Sequence, residues 1–167
     1  KLGRHADAIA AYKEVIHINP EFEAAHFNLG VAYTRLGRYN DGRQAFEEVI
    51  RINPEAISAH YNAGTAYAML GQYQRAIESQ KEAIRLEPGF VPAHFNLGLV
   101  YGKLGQPDEE MQAYKAAIRI DPDFAPAHYS MGYAYLQQGN KAAALDEYKI
   151  LKTLDDDLAG KLFKQIY

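Results

Sequence analysis

Pro20, Pro54, Pro88 and Pro122 stand 34 residues apart, and one apolar and glycine pattern recurs around each of them. A unit of that length holds two helices and a turn. A single hairpin of this kind leaves apolar faces that only a neighbouring copy can cover. The spacing therefore predicts tandem hairpins stacked into an elongated solenoid with a continuous groove, an architecture suited to binding rather than to chemistry.

Aligned on the prolines, Asn28-Leu29-Gly30 lies over Asn62-Ala63-Gly64, Asn96-Leu97-Gly98 and Ser130-Met131-Gly132. A tyrosine follows three residues after each glycine, at Tyr33, Tyr67, Tyr101 and Tyr135. A second glycine comes next, Gly37, Gly71, Gly105 or Gly139, placed to end the first helix in a left-handed conformation. The second helix then runs to the next proline. Ala76, Ile77, Ala83, Ile84 and Leu86 show its three-and-four apolar spacing, and no strand pattern interrupts the series. The prolines cannot continue a helix and set the turn between units. Glycine inside a helix costs about 1 kcal/mol relative to alanine, so Gly30, Gly64, Gly98 and Gly132 imply close helix approach. Ala8, Gly42, Ala76 and Ala144 are the expected small partners, with Tyr12, Phe46, Tyr114 and Tyr148 filling the space beside them.

These residues resemble the tetratricopeptide repeat, whose signature has the same 34-residue period. The resemblance covers nearly the whole chain and implies an all-α fold, a right-handed α-solenoid of antiparallel helix pairs. Residues 1–167 are then one domain. Residues 4–18 form the second helix of a truncated repeat, 23–56, 57–90, 91–124 and 125–154 are full repeats, and 155–167 form a C-terminal capping helix. Lys1-Leu2-Gly3 matches Arg35-Leu36-Gly37, the end of a first helix.

Several positions depart from the family pattern. His26, His60, His94 and His128 stand where the family has tryptophan, and half-buried packing is their expected role. Glu110 replaces a small residue, and Gln80 replaces an aromatic. Glutamate is costly to bury unpaired, so the helix from Pro107 is expected to rotate or shift enough to wet Glu110. Asp155-Asp156-Asp157 replaces the last proline turn and favours a helix start. Leu158, Leu162 and Ile166 follow as one stripe, with Ile166 in the glycine register. At the other end Ile9, Tyr12, Val15 and Ile16 are expected to be partly bare, which suggests upstream repeats or self-association through an uncapped N-terminal helix.

Each first helix carries a second stripe beside its packing stripe. The candidate binding residues on it are Phe27, Asn28, Val31 and Arg35, then Tyr61, Asn62, Thr65 and Met69, then Phe95, Asn96, Leu99 and Lys103, then Tyr129, Ser130 and Tyr133. The resemblance implies that this face lines a concave groove for a peptide or protein partner. Asn28, Asn62 and Asn96 resemble the asparagine ladder in O-linked glycosyltransferases. An amide complements a peptide backbone, and the same amides could instead tie adjacent units together. The aromatic column has the same two readings. The family's lysine-rich clamp for acidic chain ends does not fit, because those registers hold Phe, Tyr, Val, Thr and Leu.

The remaining features bound the function. Four histidines in successive units would lie about 10 Å or more apart, given interaxial distances of about 8–10 Å, too far for one zinc ion with bonds of about 2 Å. No phosphate loop, nucleophile elbow or dinucleotide fingerprint is present, and neither catalysis nor a cofactor is expected. The net charge of −3 is scattered and offers no footprint for nucleic acid. No apolar run approaches the roughly 20 residues of a membrane span. The lack of cysteine fits a reducing cytoplasm and many periplasmic proteins alike. The chain is thus read as an interaction module or scaffold. The alternatives are a self-associating assembly scaffold and the substrate-recruiting arm of a larger enzyme such as a glycosyltransferase.

Overall fold

The computed structural model describes residues 2–167, with side chains from residue 6 onward. Leu2 and Gly3 lie inside α1, continuous with residues 4–18, so they do not form the end of a preceding first helix that their match to Leu36-Gly37 suggested. The chain divides into two compact units, Lys1–Pro88 and Gly89–Tyr167. Unit one holds α1 (Leu2–Ile18), α2 (Glu23–Arg35), α3 (Tyr39–Ile52), α4 (Ile57–Met69) and α5 (Tyr73–Leu86). Unit two holds α6 (Val91–Lys103), α7 (Pro107–Ile120), α8 (Ala125–Gln137), α9 (Lys141–Leu154) and α10 (Asp156–Ile166).

Within unit one α2 pairs with α3 and α4 with α5, while α1 packs on α2 and α3 on α4. Within unit two α6 pairs with α7 and α8 with α9, α7 packs on α8, and α10 lies against both α8 and α9. The bend inside each hairpin is made by Gly37, Gly71, Gly105 and Gly139, with φ of 72°, 73°, 67° and 74°. At the first bend the Gly37 amide donates to Thr34 O at 3.0 Å and the Arg38 amide to Tyr33 O at 2.9 Å, satisfying helix-end carbonyls.

The proline turns are built differently. Asn53 Oδ1 accepts from the Glu55 amide at 3.1 Å, and Asp121 Oδ1 accepts from the Asp123 amide at 3.1 Å. The histidines then tie each turn to the helix after it. His26 Nε2 donates to Pro20 O at 2.8 Å, His60 to Pro54 O at 2.9 Å and His128 to Pro122 O at 2.9 Å. These three rings are buried, so the tryptophan register holds a polar tie rather than simple packing.

The helical glycines meet both the small residue and the aromatic beside it: a β-carbon on Gly42 would lie 3.2 Å from Gly30 O. A β-carbon on Gly30 would come within 2.6 Å of the Phe46 ring, and one on Gly98 within 2.5 Å of the Tyr114 ring. The aromatic, four residues beyond the small residue, presses on the first helix beside it. Over Gly132 the same space is taken by Leu162 of α10, at 2.6 Å. Phe46, Tyr114, Leu151 and Leu162 are fully enclosed. Burial of a side chain of this size contributes about 1.5–3 kcal/mol.

Ile9 corrects another expectation. It is buried with Leu29, Ala32, Tyr33 and Ala45, while Tyr12 and Ile16 pack partly against that cluster. Of the four residues expected to be partly bare, Tyr12 and Ile16 are half-buried, Val15 is exposed and only Ile9 is enclosed. Between α3 and α4 the Tyr67 hydroxyl donates to Glu47, whose other carboxylate oxygen takes Arg43 Nη1 at 2.5 Å. Burial raises the Tyr67 hydroxyl above its usual range, which keeps it a donor.

Candidate functional site

The stripe beside the packing face stays out of the core on every first helix. Phe27, Val31, Tyr61, Asn62, Thr65, Phe95, Asn96, Tyr129 and Ser130 are half-buried, and Asn28, Arg35, Met69, Leu99, Lys103 and Tyr133 are exposed. Periodicity explains the division: buried Ala25, Leu29 and Ala32 of α2 fall on one side of the helix, and this stripe falls beside them. In unit one α2 touches α4, and in unit two α6 touches α8, so within each unit two such stripes lie side by side.

Their bases also serve packing. The Phe27 ring meets Phe46 edge-on at 5.7 Å, and Phe95 meets Tyr114 at 5.9 Å and Phe124 at 5.4 Å. Thr65 Oγ1 donates to Tyr61 O of its own helix at 3.0 Å. Asn62 Nδ2 likewise donates to Ser58 O at 2.7 Å, and Asn28 makes no hydrogen bond among the described residues. Neither of these two amides is tied to a neighbouring hairpin by a hydrogen bond.

In unit two the stripes border a cavity of about 710 Å³. Leu99, Lys103, Tyr129, Ser130 and Tyr133 line it, five of the residues expected from sequence. Glu110 and Tyr114 of α7 line it too, and sequence reasoning did not place them at a site. The signal was the departure of Glu110 from the small-residue pattern. Glu110 is half-buried and reaches the cavity, which leaves its carboxyl in contact with solvent. Room comes from the opposite helix, where a β-carbon on Gly102 would lie 2.7 Å from Glu110 Oε1. The equivalent positions of the other first helices hold Thr34, Ala68 and Leu136. Burial pushes the Glu110 carboxyl up, and a hydrogen bond with Tyr114 opposes the shift. The Tyr114 hydroxyl, enclosed and beside that carboxyl, also bonds Ser130 and is held well above its usual range.

Other chemistry is sparse. No cluster of three or more His, Asp or Glu side chains suited to a metal occurs among the described residues. No helix among them is long and apolar enough to cross a membrane.

Antiparallel helix pairs repeated at a 34-residue period, with no strand among the described residues, define an all-α solenoid that works as a protein-interaction scaffold. Sequence profiles described as TPR repeat match residues 1–37, 64–105 and 108–139, and profiles described as tetratricopeptide repeat match 23–56, 45–78 and 125–157. The chain belongs to the tetratricopeptide repeat family. A search of curated protein sequences returned no match. Among solved structures the chain is similar to MamA, at 30% identity over 95% of this chain and 92% of that one, with a TM-score of 0.86. It shares its fold with YrrB, described as a TPR protein with an unusual peptide-binding site, at 24% identity over 97% and 84% of the chains and a TM-score of 0.78. It also shares it with a thermophilic TPR protein of Thermus thermophilus, at 24% identity over 99% and 92% and a TM-score of 0.79. Such repeat proteins are in general non-catalytic scaffolds.

Proposed function

We propose that the chain is a non-enzymatic module that holds an extended or helical segment of another protein on the stripes of its first helices. The observation that carries this reading is the unit-two cavity, bordered by Leu99, Lys103, Tyr129, Ser130 and Tyr133. A concave site with apolar walls and a few polar groups is the usual form of a ligand site. Asn28 adds support, because its exposed amide has no partner among the described residues. The test is to pan a random peptide library displayed on phage against the wild-type chain and against the variant with Asn28, Asn62 and Asn96 all replaced by alanine. Wild type should enrich peptides that the variant binds at least tenfold more weakly, with helicity and melting nearly unchanged. Failure to enrich any peptide, or an equal loss of stability in the variant, overturns the reading.

A second reading is self-association through α1, favoured by Val15 and Ile18, which are 37% and 81% exposed near its C-terminal end. A monomer whose sedimentation is independent of concentration would count against it.

A further inference from the structure

Glu110 sits where the other second helices carry Gly42, Ala76 and Ala144. Its carboxylate borders the unit-two cavity over Gly102, and no ion pair reaches it among the described residues. The Tyr114 hydroxyl is its hydrogen-bond partner. Tyr129 and Tyr133 come to the same cavity from α8, and Leu99 from α6. Carboxylates take guanidinium groups in paired hydrogen bonds, and tyrosine faces attract organic cations. A volume of about 710 Å³ accommodates a long side chain with room for water. No ion pair joins exposed Lys103 to Glu110 among the described residues, which leaves that carboxylate without a resident cation.

We propose that this cavity is a specificity pocket for one arginine or lysine side chain of the bound segment, with Glu110 as counter-charge and Tyr129 and Tyr133 as walls. The proposal rests on the peptide-holding function above and adds the chemistry of the partner. Burial holds the empty carboxyl up, and an incoming cation reverses that effect, so charge and ligand enter together. Because Gly42, Ala76 and Ala144 occupy the corresponding positions elsewhere, a single basic residue read at this one place fixes the register of the whole segment.

The experiment uses the same phage library on the full chain and on Glu110→Gln. Peptides selected by wild type should share an arginine or lysine at one position. A synthetic copy of such a peptide should bind Glu110→Gln at least tenfold more weakly. Replacing its basic residue by uncharged citrulline or norleucine should cost wild type a similar factor and cost Glu110→Gln little. That peptide-side comparison stands on the wild-type chain even if the variant fails to fold. Selected peptides without a basic preference, or equal affinity for the two chains, overturn the pocket and leave the peptide-holding function intact. No enriched peptide at all overturns both.

Discussion

His128 Nδ1 lies 2.7 Å from Glu147 Oε2 in the buried joint between α8 and α9, so the pair holds one proton between them. The other ring nitrogen donates to Pro122 O, which fixes the ring. Ala45, Ser79 and Ala113 occupy the Glu147 register in the other hairpins. Glu147→Ala leaves a buried ring nitrogen unpartnered and should cost about 1–3 kcal/mol. Glu147→Gln can donate to Nδ1 and should cost much less. Urea denaturation of both variants checks the order, and equal losses would show that the bond contributes nothing.

Gly98→Ala should destabilise the chain. The new methyl would meet the enclosed Tyr114 ring at 2.5 Å, and overpacking costs about 1–3 kcal/mol, more than the ~1 kcal/mol that alanine gains in helix propensity. Gly160→Ala in α10 meets nothing within 4 Å and should stabilise by about 0.5–1 kcal/mol. Thermal melts of the two variants should therefore move in opposite directions.

Gln80→Phe should raise stability. Gln80 is fully buried over Gly64, its Nε2 donates to Tyr61 O at 3.1 Å, and its Oε1 has no partner. Phenylalanine restores the ring that Phe46 places over Gly30 and removes an unsatisfied acceptor worth about 1–3 kcal/mol. A lower denaturation midpoint than wild type would mean that the glutamine is better accommodated than its contacts indicate.

Glu110→Gln should flatten part of the stability profile against pH. A carboxyl raised in the folded chain keeps its proton longer than the unfolded chain does. Its contribution is full below the ordinary value of 4.5 and is lost as pH rises through the raised folded value. The variant should match wild type most closely in acid and be relatively more stable near neutrality. Denaturation series between about pH 4 and about pH 8 measure this, and parallel curves would contradict it.

The period, the all-α class and the glycine bends were legible because each is written by residues with few backbone options. Proline and left-handed glycine recur in every copy, and Gly37 and Gly139 adopt φ of 72° and 74° as that chemistry requires. What sequence could not supply was which side chain fills a gap between two helices. Gly30 invites close approach without saying how tightly each neighbour arrives, and the Phe46 ring comes nearest while Gly42 lies beside it. Glu110 was read from its own helix alone, without the room that Gly102 provides on the opposite helix. The same limit hid the cavity. Leu99, Tyr129 and Tyr133 belong to a stripe visible in sequence, whereas Glu110 and Tyr114 reach the site from a helix whose pattern suggested packing.

The exchange of bulk between Gly102 and Glu110 ties the fates of α6 and α7 together. A chimera that kept α6 beside any other second helix would leave a void above Gly102. One that kept α7 would push Glu110 against the side chain of Thr34, Ala68 or Leu136. Shuffling hairpins to redesign this array therefore has to move these two helices as a single cassette, even though neighbouring copies look interchangeable by period.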